Sequence, residues 1–308
     1  MNKAFIFPGQ GSQTVGMGKD LANDFPVARK VFEIIDDALE QNLSQIIFEG
    51  PIEDLTMTEN TQPALMAVSI AFIEVIKEQS GKKIHELCDI VAGHSLGEYT
   101  ALCAAGALSI SDAAKILRIR GKAMQDSCPK GQGAMAAILG LDIAKVEAIV
   151  AEANGYGICD IANDNTPLQV VVSGAVVAID FVVMKVAEIA GRAIKLNVSA
   201  PFHSRLINPA EDIMRKALNE IEWFVPLVPI IPNVTVEPTS DIAIIKANLV
   251  HQVSGRVRWR ETINYLAENG IKELIEIGPG KVLTGMLRKA EHPFTLVNIG
   301  NIEELKIV

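Results

Sequence analysis

Residues 93–97 read Gly-His-Ser-Leu-Gly, with a serine flanked at two positions on each side by glycine. A short apolar run, 90–92, precedes this pattern, and a helix-forming run, 98–102, follows it. A serine in a strand–turn–helix context sits on a strained turn that projects its hydroxyl above the sheet. The pattern predicts Ser95 as an acyl-transfer nucleophile, with an ordinary strand-to-helix turn as the alternative. The backbone N–H of Leu96, at the start of the helix, favours an anion there.

A serine hydroxyl needs a nearby base to act as a nucleophile. The sequence contains five histidines, namely His85, His94, His203, His251 and His292. His94 adjoins Ser95, and because adjacent strand residues point to opposite faces, we expect a structural role for it. His203 lies where a predicted insertion rejoins the core, and such loops commonly line clefts. Position therefore favours His203 as the base, with His85 and His292 expected at the surface and His251 at a helix end.

Arg120 lies on the apolar face of a predicted helix, with Ile116 and Leu117 before it and Met124 after it at helical spacing. One interpretation is an arginine that reaches solvent or pairs with an internal carboxylate. The other is a buried guanidinium that binds a ligand carboxylate through two hydrogen bonds. Because an unpaired buried charge is very unfavourable, one of the two must hold.

The glycine-rich segment 7–13, Phe-Pro-Gly-Gln-Gly-Ser-Gln, follows the first predicted strand. In hydrolase-like folds a loop after an early strand supplies the second N–H of an oxyanion hole. The backbone N–H of Gln10 is therefore a candidate donor, and a plain glycine-rich turn is the alternative. The segment lacks the pattern of a phosphate-binding P-loop.

The elements that must position these residues alternate between strand and helix. Residues 3–7 read as a buried strand, residues 58–81 as a helix with Thr61 as a possible cap, and residues 109–124 as a helix with Ser111 as a possible cap. This alternation predicts a parallel α/β sheet.

Residues 127–197 follow a different order, β-α-β-β-α-β, which is the ferredoxin-like pattern. After them the strand–helix alternation resumes at 273–280. We therefore predict an α/β-hydrolase-like large subdomain of residues 1–126 and 198–308. The ferredoxin-like small subdomain, 127–197, is inserted into it.

Composition excludes several classes of protein. The chain has 308 residues, of which 49% are hydrophobic, and a formal net charge of −9, which argues against a nucleic-acid surface. No apolar run approaches the roughly 18–20 residues of a membrane span, and Pro8 ends the first apolar run too early for a signal peptide. The cysteines are scattered and fit reduced thiols in a cytoplasmic protein: Cys88, Cys103, Cys128 and Cys159.

Several motifs occur together in one order along the chain. They are FPGQGSQ, GHSLGE, LRIRG, ANDNTPLQVVVSG, SAPFHS, HQVSGRVRW and EIGPGKVLTG. With them the sequence resembles the bacterial malonyl-CoA:acyl-carrier-protein transacylases of type II fatty acid synthesis, over essentially its whole length. More distantly, it is similar to the acyltransferase domains of polyketide and animal fatty acid synthases.

The resemblance implies a role for each matching residue. Ser95 would carry the malonyl group as an ester, and His203 would act first as a general base and then as an acid. The backbone N–H groups of Gln10 and Leu96 would form the oxyanion hole. Arg120 would bind the free carboxylate of the malonyl group.

Other positions follow from the same resemblance. Gln252, rather than an aspartate, would orient His203 through a hydrogen bond or its backbone carbonyl. Asn163 and Asn165 would face the cleft from the small subdomain, and Phe202 would narrow the space beside the malonyl α-carbon. Residues 254–256 read Ser-Gly-Arg where many members carry an Asn-Pro pair, so this loop departs from the family pattern.

The implied partners are malonyl-CoA, coenzyme A and an acyl carrier protein, with no cofactor, metal, nucleic acid or membrane. We expect a monomer, because the chain is long enough for a complete core. A carrier protein is typically acidic, so docking requires local basic residues. The candidates, each of which is also explained as ordinary solvated surface, are Lys185, Arg192, Lys281, Arg288 and Lys289.

Two alternatives remain from the sequence. A serine esterase or thioesterase on the same core would hydrolyse malonyl-CoA without a thiol acceptor. A non-catalytic module that binds a carrier protein would form no acyl-enzyme, although the presence of Ser95, His203 and Arg120 argues against it.

Overall fold

The computed structural model describes residues 1–189, 191–198, 200–288 and 292–307. In chain order, the strands are β1 (Lys3–Phe7), β2 (Ile90–Gly93), β3 (Gly133–Leu139), β4 (Cys159–Thr166), β5 (Gln169–Ala175), β6 (Arg192–Lys195), β7 (Ile230–Ile231), β8 (Glu273–Ile277) and β9 (Thr295–Ile299). The helices are α1 (Lys19–Asp24), α2 (Pro26–Leu39), α3 (Leu43–Glu49), α4 (Ile52–Thr56), α5 (Thr58–Ser80), α6 (Leu96–Ala104), α7 (Ile110–Asp126), α8 (Ile143–Ala153), α9 (Val176–Glu188), α10 (Pro209–Asn219), α11 (Ile242–Gln252), α12 (Trp259–Glu268) and α13 (Val282–Leu287).

One sheet has five parallel strands in the order β7-β2-β1-β8-β9. Its central strand β1 is apolar on both faces. Phe5 and Phe7 enter one hydrophobic cluster, with α2, α5, α6 and α7, while Ala4 and Ile6 enter a second, with α12. A parallel sheet covered on both faces requires such a continuous apolar run. The predicted parallel α/β core is confirmed.

The serine turn joins β2 to α6 and is too tightly packed for side chains on its glycines. A Cβ on Gly93 would lie 1.9 Å from the carbonyl oxygen of Gly97, and one on Gly97 would lie 2.3 Å from that of Phe7. Ser95 itself has a φ of 56°, in the left-handed region. The backbone of this turn is therefore fixed against the end of β1.

A second sheet has four antiparallel strands in the order β4-β5-β3-β6. Helices α8 and α9 pack on one face and close a separate hydrophobic cluster. This is the ferredoxin-like arrangement, and its prediction is confirmed. We call β3–β6 with α8 and α9 the insertion. The domain boundaries at 127 and 197 stay a prediction.

Strand β4 attaches the insertion to the core through two carboxylates. Buried Asp164 accepts hydrogen bonds from Arg260 Nε (2.9 Å) and Nη2 (2.7 Å). Asp160 accepts from Ser204 Oγ (3.0 Å) and from the backbone N–H (2.9 Å) and Nε (2.8 Å) of Arg205. The insertion is thus joined to the chain immediately after His203.

Two predicted helix caps are wrong. Helix α5 begins three residues before Thr61, and the Thr61 hydroxyl instead donates to the backbone oxygen of Leu55 (2.5 Å). Ser109, not Ser111, caps α7, because its extended backbone lets Oγ accept from the backbone N–H of Asp112 (3.0 Å). Among the described helices, none combines the length and apolar character needed to cross a membrane.

Candidate active site

Ser95 and His203 meet across a cavity of about 360 Å³ at the carboxyl end of the parallel sheet. The Ser95 Oγ lies 2.8 Å from His203 Nε2, although the two residues are 108 positions apart. The cavity is also lined by Gln10, Leu96, Arg120, Asn163 and Phe202. The structure thus brings together most of the predicted site residues.

Two backbone carbonyls hold His203, and among the described residues no carboxylate is bonded to its ring. Its Nδ1 lies 2.8 Å from the oxygen of Gln252 and 3.0 Å from that of Gly255. Because both partners only accept, the proton belongs on Nδ1, and Nε2 is left to accept from Ser95. Burial, followed by the positive charge of Arg120, lowers the pKa of His203 to about 3. A neutral imidazole at this position is suited to remove the Ser95 proton.

Arg120 extends from α7 into the same cavity and is 1% exposed. Its Nη2 donates to Ser95 Oγ (3.1 Å) and to Gln252 Oε1 (2.8 Å), and its Nη1 donates to Gln62 Oε1 (2.8 Å). Burial lowers its pKa, while Tyr99 and Glu98 oppose that shift. In the described part of the chain, the three hydrogen-bond acceptors of Arg120 are all neutral, and the buried guanidinium does not reach solvent. Its role in binding a ligand carboxylate stays a prediction.

The serine turn is supported by a network of buried side chains. Asn233 Oδ1 accepts from the backbone N–H of Ser95 (2.8 Å), and Asn233 Nδ2 donates to the oxygen of Gly93 (2.7 Å). Gln252 Nε2 donates to the oxygen of Ser95 (2.8 Å) and to Glu98 Oε2 (2.9 Å). Asn233 and Gln252 are both fully buried. The network holds both backbone polar groups of Ser95.

Two predicted oxyanion donors are available beside Ser95. In the described part of the chain, no acceptor is bonded to the backbone N–H of Leu96 or of Gln10. Leu96 is the first residue of α6, where the helix dipole favours negative charge. Both residues line the cavity, and their role as oxyanion donors stays a prediction.

Gln252 takes the position predicted for it, but its two ends act on different residues. Its backbone carbonyl accepts from His203, whereas its side chain contacts Ser95, Glu98 and Arg120. Gly255 follows Gln252 closely in the chain and lies in the segment that departs from the Asn-Pro pattern. A Cβ there would lie 2.7 Å from the backbone oxygen of His251, so glycine suits this close turn.

The remaining predicted residues separate into two groups. Asn163 and Phe202 line the cavity, whereas Asn165 lines a different pocket and holds His94, with Oδ1 2.9 Å from Nε2. His94 also packs edge-on against Trp259, in agreement with a structural role. His85 and His251 are exposed.

Four of the five predicted basic residues are described and lie on the surface, and two of these form ion pairs. Lys185 pairs with Glu188 (3.2 Å) and Lys281 with Glu304 (2.6 Å). Arg192 and Arg288 are exposed. Lys289 lies outside the described residues.

Three further residues of the site, Glu98, Asn233 and Gln62, are not among those predicted from the sequence. Glu98 gave a usable signal, because a charged residue in the apolar helix after the serine turn needs an internal partner. Gln62 gave a similar signal within the apolar α5. Asn233 gave none, since nothing in its local sequence points to Ser95.

Comparison with known proteins agrees with this geometry. A family model described as "Acyl transferase domain" matches residues 4–304. The malonyl CoA-acyl carrier protein transacylase of Bacillus subtilis (strain 168) is 42% identical over 306 residues, which cover 99% of this chain and 95% of that protein.

Two solved structures superpose closely. The acyl-carrier-protein-S-malonyltransferase from Bartonella henselae has a TM-score of 0.97 at 51% identity, and covers 100% of this chain and 98% of its own. A malonyl-transacylase in complex with a type II PKS acyl-carrier protein has a TM-score of 0.94 at 38% identity, with 99% and 97% covered. The chain belongs to the acyl transferase domain family. Within that family, its predicted resemblance to malonyl-CoA:acyl-carrier-protein transacylases is confirmed.

Proposed function

We propose that this chain transfers the malonyl group of malonyl-CoA to the phosphopantetheine thiol of an acyl carrier protein, through an ester on Ser95. One observation carries the proposal. The Ser95 Oγ lies 2.8 Å from a neutral histidine nitrogen and 3.1 Å from a buried guanidinium. Nucleophile, base and carboxylate-binding group therefore meet at one oxygen, and the relatives described above are named for this activity.

In the first half-reaction, Ser95 Oγ attacks the thioester carbon as its proton moves to His203 Nε2. The N–H groups of Gln10 and Leu96 stabilise the resulting oxyanion. When the carbon–sulfur bond breaks, His203 returns the proton to the departing sulfur and coenzyme A leaves. The carbonyls of Gln252 and Gly255 stabilise the transient imidazolium through Nδ1.

In the second half-reaction, the thiol of the carrier protein gives its proton to His203 and attacks the ester carbon. The carbon–oxygen bond breaks, and Ser95 regains the proton from His203. Both acyl donor and acceptor carry the same phosphopantetheine arm, so one cleft serves both. The reaction is of the ping-pong type.

Selection of malonyl depends on Arg120. When Ser95 becomes an ester, its Oγ loses the hydroxyl hydrogen and accepts hydrogen bonds less well. The hydrogen of Arg120 Nη2 that had been bonded to this oxygen is then available for another acceptor. With the second hydrogen of Nη1, this leaves a pair of donors for the two oxygens of a carboxylate. Burial is the main cause of the lowered pKa of His203, and the charge of Arg120 adds to it. Binding the malonyl carboxylate neutralises that charge, so a malonyl group makes the base stronger where an acetyl group does not.

The same proposal includes the partners. A carrier protein docks at the cavity mouth against basic residues, of which Arg192 and Arg288 are exposed. The chain acts as a monomer in the cytoplasm. Elution and light scattering of the purified protein test the monomer, and charge reversal at Arg192 and Arg288 tests the docking surface through the KM for carrier protein.

The decisive test is mass spectrometry of the intact protein after incubation with malonyl-CoA. One malonyl adduct is expected, absent in Ser95→Ala and retained in Ser80→Ala, whose hydroxyl lies at the far end of α5. An adduct that persists in Ser95→Ala would reject the nucleophile. Steady hydrolysis of malonyl-CoA without a thiol acceptor would favour the esterase alternative.

The carboxylate role of Arg120 has its own test. Arg120→Ala is expected to lower malonyl transfer by about 100-fold or more, since a charge-assisted pair is lost. Acetyl transfer should fall far less. Equal losses for both acyl groups would reject the role of Arg120 as the carboxylate-binding group.

A further inference from the structure

Glu98 is a buried carboxylate beneath the serine turn, and no step of the proposed reaction uses it. It lies in the first turn of α6 and is 1% exposed. Its Oε2 accepts hydrogen bonds from the backbone N–H of Asn233 (3.0 Å) and from Gln252 Nε2 (2.9 Å). Both donors are neutral amides. Burying a carboxylate with such partners is unfavourable, so its presence beside the site calls for a functional reason.

The side-chain amide of Gln252 has only one favourable orientation. Nε2 donates to Glu98 Oε2 (2.9 Å) and to the backbone oxygen of Ser95 (2.8 Å), which uses both amide hydrogens. Oε1 therefore faces Arg120 and accepts from Nη2 (2.8 Å). The reverse orientation would set Oε1 against two oxygens and the amide hydrogens against the guanidinium. The carboxylate of Glu98 thus opposes a flip of this amide.

We propose that Glu98 is a positioning residue for malonyl recognition, which holds the Gln252 amide so that Oε1 fixes the guanidinium of Arg120. The proposal rests on the proposed function above. A flipped Gln252 would remove one of the two amide acceptors of Arg120 and replace it with a repelling donor. The other acceptor, Gln62 Oε1, bonds only Nη1 (2.8 Å) and does not by itself set the guanidinium plane. Glu98 therefore acts on the malonyl carboxylate through two intermediate side chains.

Charge supports the same arrangement. Burial raises the pKa of Glu98 to about 7, while the hydrogen bonds from Asn233 and Gln252 and the charge of Arg120 oppose the rise. Arg120 faces Glu98 from α7, and Tyr99 faces it from α6; burial raises the pKa of Tyr99, which stays neutral. Asn233 and Gln252 face it with amides that do not titrate. Glu98 is therefore mostly ionised, and able to fix Gln252, above about pH 7.

The test compares single-turnover acylation by malonyl-CoA and by acetyl-CoA in the full-length wild type and in Glu98→Gln, followed by intact-protein mass spectrometry. The new amide offers a donor as well as an acceptor, so both orientations of Gln252 become acceptable. We expect the malonyl rate to fall about 10-fold to 100-fold and the acetyl rate to change less than about threefold.

Glu276→Gln is the matched control. Glu276 is a fully buried carboxylate on β8 that accepts from the backbone N–H groups of Leu283 (3.0 Å) and Thr284 (2.8 Å), and it does not line the cavity of Ser95. Its substitution should change both acylation rates by one common factor. Equal losses in Glu98→Gln, or no loss, would overturn the proposal. Absence of a malonyl adduct on the wild type would instead refute the proposed function itself.

The wild type gives a second test that needs no variant to fold. The ratio of malonyl to acetyl acylation rates is expected to rise about 10-fold between about pH 5.5 and about pH 8.5, as Glu98 ionises. In Glu98→Gln the ratio should be nearly constant over this range. A constant ratio in the wild type would overturn the proposal.

Discussion

Ser95 and His203 share an uncommon backbone conformation, each with a φ of 56°, and they are held in different ways. Around Ser95, the side chains of Asn233 and Gln252 bond both backbone polar groups of the residue. Around His203, the imidazole is held by the backbone carbonyls of Gln252 and Gly255.

Because of this difference, substitutions should affect the two supports in different ways. The support of Ser95 depends on side-chain identity, and through Gln252 it extends to Arg120 and the carboxylate-binding group. The support of His203 depends on the path of the backbone, so we expect it to depend less on the identity of the flanking side chains. The two supports are therefore built from different groups, although Gln252 takes part in both and the charge of Arg120 also lowers the pKa of His203.

The largest effect is expected when the base itself is removed. In His203→Ala, the backbone carbonyls of Gln252 and Gly255 lose their hydrogen-bond donor, and Ser95 loses its proton acceptor. Acylation by malonyl-CoA should fall about 10⁶-fold, as for loss of one member of a hydroxyl–imidazole pair. Quenched-flow mass spectrometry of the adduct measures this, and circular dichroism controls for folding. A loss below about tenfold would mean that another group removes the proton.

A change confined to the serine side separates the two supports. Gln252→Leu keeps the backbone carbonyl that holds His203 but removes the contacts with Ser95, Glu98 and Arg120. Malonyl acylation is expected to fall about 100-fold to 1000-fold, since several buried polar groups lose a partner. The Nδ1–H signal of His203 in long-range ¹H–¹⁵N NMR should persist. Its disappearance would show that the two supports are one unit.

Much of the fold follows from local patterns in the sequence. The apolar strands of residues 3–7 and 90–93 are found because a buried parallel strand is apolar on both faces. The ferredoxin-like order is found because its strands and helices alternate in a distinctive way. The cap of α5 is mispredicted because Thr61, a residue type that favours caps, lies inside the helix and instead bonds the backbone of the preceding segment (2.5 Å).

The site is predictable where a residue carries its own chemical signal. Ser95, His203 and Arg120 stand out by type and local context. Asn233 does not, because its role depends on contacts with residues 138 and 140 positions away. Hydrophobic periodicity indicates that a residue is buried but does not identify the partner of a buried amide. The use of backbone carbonyls for His203 is hidden for the same reason, since every residue has one.

The pH dependence of stability gives a further test of the side chains that support Ser95. Burial raises the pKa of Glu98 from its ordinary value of 4.5 to about 7 in the folded protein, so the folded state binds this proton more tightly. Stability from this group is fully present below pH 4.5 and is lost as pH rises through 7, by up to about 3 kcal/mol. Urea unfolding at about pH 5 and about pH 8 should show that the unfolding free energy of Glu98→Gln, relative to that of the wild type, increases with pH. A parallel pH dependence in both proteins would contradict this.

The smallest effect is expected on the histidine side, at its attachment to the insertion. Asp160→Asn weakens the bonds to Ser204 and Arg205, the two residues after His203. Because Arg205 is 56% exposed in this pair, the loss should be about 1 kcal/mol of unfolding free energy and a fewfold in kcat. Asp212→Asn, which breaks an exposed Asp–Arg pair on α10, should change neither. Because Asp160 acts on the backbone path of His203, malonyl and acetyl acylation should fall together. A selective loss of malonyl transfer would mean that the insertion also positions Arg120, and that the two supports are coupled through β4.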